Sequence, residues 1–324
     1  MSDFSATLFN ATVASSAISG AFELGLFHAL NEKKEGIPVS QFCKDNHLDP
    51  ASFYSMIYAL SCFDIVRQDR DLLQKGARFD EIDRDKGYFH WMIKGYADFL
   101  ANFSSLMDQR LRKGSFYRRN GKAIAQAGKD YGTAYVDSSV LDLLRSLSFH
   151  KIADLGCGSA HRILEIRREI GCKAVGIEID SGGVALAREL VQKANSEDSI
   201  QIVQGDVSQL SALEEFKDID LISSFFMGHD LWPKERCIQI FSHFLKVFPN
   251  VRYFLFCDTY QAQLPPQQTV PTFTLGFEVF HALMGQYIPT IAEWESLFPL
   301  AGWECVQKII TGIPYTSIFL LKPK

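Results

Sequence analysis

No run of about 20 apolar residues occurs in these 324 residues, so no segment reads as a membrane span. Excess positive charge is missing too. Lys and Arg number 33 against 38 Asp and Glu, a net charge of −5. That balance gives no electrostatic reason to expect nucleic acid or an anionic membrane as partner. CxxC spacing is absent: the cysteines at 43, 62, 157, 172, 237, 257 and 305 are scattered and odd in number, as free thiols of a reducing cytosol would be. The opening "MSDFSATLFN" has an early acid and no basic leader, so a cytoplasmic rather than secreted protein is expected. Internal repeats and low-complexity linkers are also lacking. What is plentiful is apolar and aromatic mass, 47% of the chain, with 26 Phe, 11 Tyr and 4 Trp. A chain of this size and content can bury one large core and a smaller one, and two domains are expected, 1–105 and 106–324.

The first hundred residues read as short helices. "SSAISGAFELGLFHALNE" has apolar residues at helical spacing, with Gly25 expected inside the helix. A helix near 39–46 follows, then a turn through Leu48-Asp49-Pro50, a helix to about Cys62 and a short β wing. Asp49 followed by Pro50 is an N-cap signal. A winged helix of this kind can bind DNA, but its second helix, "PASFYSMIYALSCF", holds no Lys or Arg for phosphates or base edges. A dimerising role is expected instead, which argues against a DNA-binding regulator. Residues 80–145 are helical and more polar, suited to a lid or connecting layer.

Near residue 148 the pattern changes. "HKIADLGCG", "KAVGIEI", "SIQIVQGD", "DIDLISSFF" and "VRYFLFCD" are strands separated by helical stretches, and "ECVQKIITGIPYTSIFLLKPK" reads as a closing hairpin. Alternation at this length means an α/β fold with a mostly parallel, doubly wound sheet. Gly156 and Gly158 in "DLGCGSA" allow a ligand to approach the main chain closely. The third glycine of a pyrophosphate grip is absent, since His161 stands there. Asp154 precedes the glycines, where a carboxylate can take up a cationic amino group. Glu178 ends the second strand, placed for ribose hydroxyls, and Asp206 follows the third, suited to an adenine amino group. Asp180 reads as the cap of the next helix. The order Asp-x-Gly-x-Gly, Glu, Asp at successive strand ends resembles the class I S-adenosylmethionine-dependent methyltransferases. That resemblance implies a Rossmann-like sheet with a C-terminal β-hairpin and S-adenosylmethionine as methyl donor.

"FFMGHDLWP" follows the fourth strand, at the carboxyl edge where open α/β sheets bind ligands. Three readings fit His229 and Asp230. Asp230 can cap the helix starting near Pro233. His229 can be a general base, since an imidazole of pKa about 6.5 suits that work; "HDLWPKERC" resembles the His-Asp-Trp segment of small-molecule O-methyltransferases. Or both can bind a metal together with His281, 51 residues beyond Asp230. Two imidazoles and a carboxylate suit a non-haem iron site. Strand neighbours point to opposite faces, so the adjacent pair can share a metal only off the strand.

"FNATVASSAISGAFELG", "FFMGHDLWP", "FPNVRYFL", "TFTLGFEVFHALMGQYIPT" and "AGWECV" together resemble the 2-oxo acid C-methyltransferases of bacterial secondary metabolism, over nearly the whole chain. The resemblance implies His229, Asp230 and His281 as iron ligands. It further implies Arg119 in "GSFYRRNG" at the substrate carboxylate, Trp91 in the substrate pocket, and a homodimer. Methylation at C3 needs an enolate, whose charge a chelated cation stabilises as a Lewis acid. Tyr96 stands where the family has a smaller hydroxylated residue, so the keto acid's side chain stays open.

Overall fold

The computed structural model of the chain describes residues 3–264 and 269–324. Its backbone divides into two units, Met1–Phe103 with Arg112–Tyr131, and Ser104–Leu111 with Gly132–Lys324.

The first unit starts with α1 (Phe4–Glu23) and α2 (Leu26–Glu32). Gly25 does not continue one helix, as its spacing suggests. It takes φ 72° and ψ 14°, a left-handed conformation that heads α2 and that glycine adopts without a Cβ penalty. β1 (Ile37–Pro38), α3 (Val39–Asp45), α4 (Pro50–Ser61), β2 (Val66–Asp69) and β3 (Leu72–Lys75) follow. Asp49 caps α4 by accepting the Ser52 N–H at 2.8 Å, with Pro50 in the first turn, as the sequence indicates. The three short strands pair in the order β1-β3-β2. Leu26, Leu30, Val39, Leu60 and Leu73 are buried in one apolar cluster. α5 (Phe79–His90), a π-helical turn over Trp91–Gly95 and α6 (Ala97–Ala101) complete this stretch. α7 (Phe103–Met107) and α8 (Gly121–Tyr135) lie where the chain passes between units.

In the second unit α9 (Asp137–Arg145) leads to β4 (Lys151–Leu155), α10 (His161–Ile170), β5 (Lys173–Glu178), α11 (Ser181–Lys193) and β6 (Ile200–Gln204). Then come β7 (Leu221–Phe225), α12 (Lys234–Val247), β8 (Tyr253–Thr259), α13 (Thr274–Met284), α14 (Ile291–Leu300), β9 (Trp303–Ile310) and β10 (Thr316–Pro323). The sheet runs β6-β5-β4-β7-β8-β10-β9. Its first five strands are parallel, and β10 is antiparallel to both neighbours, so the expected closing hairpin is present. Every residue of β7 and of β8 is buried, as it must be when helices cover both faces. Phe241, Phe254, Phe256, Trp294 and Trp303 form an aromatic block against β8. Strand order reverses between β4 and β7, which opens a crevice at their carboxyl ends. Among the described residues no single helix is long and apolar enough to cross a membrane.

Candidate active site

Three carboxylates stand at the ends of the adjacent strands β4, β5 and β6. Asp154 is 3% exposed and accepts the Ser223 hydroxyl at 2.8 Å. Burial pushes its carboxyl up to about 6, against the opposing pull of Arg162 and of the Ser223 hydrogen bond. Gly156 and Gly158 both take left-handed torsions, φ 79° and 54°. A Cβ on Gly158 would have nothing within 4 Å, so that side of the loop faces open space. Glu178 is tied at both oxygens, accepting the Gly158 N–H and the Asp180 N–H, each at 2.9 Å. Asp180 itself caps α11 through the Gly183 N–H at 2.7 Å, the role its sequence position suggests. Asp206 accepts the Ser208 N–H and hydroxyl, each at 2.8 Å. Burial raises its pKa, but these hydrogen bonds outweigh it and lower the carboxyl overall. An edge so rich in acceptors suits a ligand carrying hydroxyls, an amino group and positive charge.

Beyond β7 the chain turns at Phe226, φ 56°, into a 3-10 turn over Gly228–Leu231. His229 and Asp230 are therefore off the strand, as sharing one ion requires. His229 is 4% exposed. Its backbone N–H donates to Asp258 Oδ2 and its Nδ1 meets Asp258 Oδ1, both at 2.8 Å. A carboxylate accepts only, so the network assigns the hydrogen to Nδ1 and the lone pair to Nε2. His281, 2% exposed on α13, is fixed the same way by the Phe277 carbonyl, 2.6 Å from its Nδ1. The two imidazoles meet edge to face, with centroids 4.8 Å apart and planes at 82°. Asp230 Oδ1 lies 3.9 Å from His229 Nε2 and accepts the Gln286 side-chain N–H. The helix-cap reading of Asp230 fails, because α12 starts after Pro233 without any side-chain cap.

Two Nε2 lone pairs and one carboxylate are a donor set that fits a first-row metal. These donors are not gathered as tightly as those of another group. Among the described residues, Asp137, His161 and Glu165 have ligand atoms all within 4.8 Å of one another. In that group, however, Arg162 Nε already donates to Asp137 Oδ1 at 3.0 Å. A fixed guanidinium supplies there the positive charge that a metal would bring.

A methyltransferase-domain family model matches residues 152–248, from β4 to the end of α12. A protein named Methyltransferase ungE', from Aspergillus campestris (strain IBT 28561), is 34% identical, covering 98% of this chain and 96% of its own length. The chain belongs to the S-adenosylmethionine-dependent methyltransferases. This methyltransferase is also 26% identical to an indolepyruvate C-methyltransferase of Streptomyces griseus, covering 98% of this chain and 94% of that protein. Human N-acetylserotonin methyltransferase in complex with SAM shares its fold at a TM-score of 0.72 and 17% identity, covering 99% of this chain and 98% of that one.

Two residues of the candidate site escaped the sequence reading. Asp258 is the next-to-last residue of β8 and is fully buried. Its signal was available: an acid near the carboxyl end of a mostly apolar strand, the same pattern that marks Asp154. Gln286 follows Gly285 at the end of α13 and carries no comparable signal. Trp91 and Arg119 belong to the first unit. Trp91 is buried there with its ring 4.5 Å from Tyr96, and Arg119 is exposed in an irregular segment before α8.

Proposed function

We propose that this methyltransferase methylates C3 of a 2-oxo acid, with His229, Asp230 and His281 as ligands of a non-haem iron or another metal. The observation carrying this reading is full-length kinship with a protein named for C-methylation of indolepyruvate. Two buried imidazoles and a carboxylate at the ligand edge add support. Asp154, Gly156, Gly158, Glu178 and Asp206 hold the donor: Glu178 at the ribose hydroxyls, Asp206 at the adenine amino group and Asp154 at the ammonium. Arg119 and Trp91 serve the substrate end, where an arginine fork suits a carboxylate. The protein works as a cytoplasmic homodimer, with residues 1–105 dimerising and 106–324 catalytic.

In this reading His229 and His281 would offer Nε2 and Asp230 its carboxylate to the ion, and both imidazoles are buried. When bound there, the metal supplies Lewis-acid stabilisation of charge developing on the keto oxygen. C3 gives a proton to water, and the resulting enolate carbon takes the methyl group as the sulfur–methyl bond breaks, its electron pair staying on sulfur as S-adenosylhomocysteine leaves. Binding both reactants at one sheet edge brings C3 to the methyl carbon in line.

A second reading is O-methylation of a small molecule with His229 as base and no metal. The Asp258–His229 contact favours it, because a carboxylate on Nδ1 orients an imidazole whose Nε2 takes the proton. One experiment separates the two. Wild type and His281→Ala are compared for bound metal and for activity with S-adenosylmethionine on a panel of 2-oxo acids that includes indolepyruvate. C-methylation by wild type and loss of both metal and product in the variant are expected. Methyl transfer to oxygen by chelator-stripped wild type would overturn the first reading.

A further inference from the structure

Arg162 lies outside the motif residues and is 13% exposed at the start of α10. Its Nε donates to Asp137 Oδ1 at 3.0 Å, and its guanidinium carbon stands 3.9 Å from the centre of the Phe225 ring. The register places this contact. Asp154 pairs with Ser223 across β4 and β7, and Ser223 shares a strand face with Phe225, two residues on. The guanidinium therefore reaches from α9 to the sheet face that carries Asp154. Two groups on that face feel its charge: burial raises both Asp154 and Cys257, and Arg162 opposes the rise in each. Gly132 leaves room for it, since a Cβ there would stand 2.8 Å from Arg162 Nη2.

Asp137 and Asp154 are 4% and 3% exposed. Asp137 has Arg162 Nε at 3.0 Å and His161 Nε2 at 3.9 Å, whereas Asp154 is held by the Ser223 hydroxyl, so the Asp154 charge is the one left for a ligand. Low-polarity surroundings make that charge count. We propose that Arg162 is a positioning residue for the methyl donor: bridging Asp137 and Phe225, it fixes the β7 face whose Ser223 holds Asp154, and so keeps the Asp154 carboxylate aimed at the donor's ammonium group. The proposal rests on Asp154 binding that ammonium group.

Calorimetric titration with S-adenosylmethionine and S-adenosylhomocysteine tests it without knowledge of the methyl acceptor. Wild type, Arg162→Met, Arg162→Lys, Asp154→Asn and the Arg162→Met/Asp154→Asn double variant are compared. Arg162→Met and Asp154→Asn should each raise Kd about tenfold, as for loss of one charge-assisted contact. Arg162→Lys should recover part of the loss. The double variant should be no weaker than Asp154→Asn alone, because one residue acts through the other. Losses that multiply in the double variant would show Arg162 acting by another route and overturn the proposal. Unchanged binding in Asp154→Asn removes the premise, and the proposal with it. Gly132→Ala keeps every charge and favours the helix, but puts a methyl group against Nη2. It should weaken binding several-fold, and unchanged affinity would count against Arg162 even if Arg162→Met does not fold.

Discussion

Asp258 grips His229 at two points, the backbone N–H through Oδ2 and the ring Nδ1 through Oδ1, both at 2.8 Å. One contact fixes the 3-10 turn and the other fixes the ring and its tautomer. Asp258 also accepts the Thr259 N–H at 2.8 Å, so its own carboxylate is held still. Both functional readings need that arrangement, because each uses His229 Nε2.

Asp258→Asn keeps the shape and replaces an acceptor oxygen with a donor. Activity should fall about 10–100-fold, the usual loss when the partner of a working histidine is changed. Donor affinity, measured by titration calorimetry, should stay near wild type. An unchanged rate would remove His229 from the chemistry.

Gln286 holds Asp230 from the far end of α13. Gln286→Leu should lower methyl transfer and bound metal together, by about tenfold at least, as loss of an outer partner to a ligand does. Elemental analysis beside a rate assay reads both. A drop in rate with metal content intact would assign Gln286 to substrate rather than to Asp230.

Gly228 lets the His229 turn lie against β8. A Cβ there would overlap the Phe256 ring and stand 2.8 Å from Asp258 Oδ2. Gly228→Ala should destabilise the fold by about 1–3 kcal/mol, the cost of overpacking a filled core. Urea unfolding measures this, and activity should fall further than stability alone accounts for.

Asp154 titrates near 6 against an ordinary 3.8, raised first by burial, with Arg162 opposing and Glu178 and Asp137 adding repulsion. Its folded pKa is the higher one, so its contribution to stability is full below pH 3.8 and is lost as pH rises through 6. Binding of a cation runs the other way, since it needs the carboxylate. Donor affinity should therefore rise between pH 5 and 7, by about tenfold for one group, and Asp154→Asn should flatten the profile. A flat wild-type profile would take Asp154 out of the donor site.

The strands, their glycine turn and the acids that follow them were legible because each is a local pattern. Alternating apolar runs and helical spacing give the sheet, and "DLGCGSA", Glu178 and Asp206 fall at the carboxyl ends of its strands. Asp49 and Asp180 were legible as caps for the same reason, a side chain answering a backbone N–H three residues away. Gly25 was misread: apolar spacing continues across it, while its left-handed torsion ends one helix and starts another. His281 was reached through family resemblance, since nothing local ties it to a histidine more than fifty residues earlier.

The sequence alone determined which backbone elements form, where the glycine loop falls and which side chains carry titratable chemistry, because propensity and periodicity act between neighbours in the chain. Packing decided which of those side chains meet. The Asp258 clamp on His229, the Gln286 contact with Asp230 and the passage of Arg162 beside Gly132 each join residues at least 29 positions apart. Such contacts come from how helices and strands stack on one sheet, and a linear pattern holds no record of that stacking.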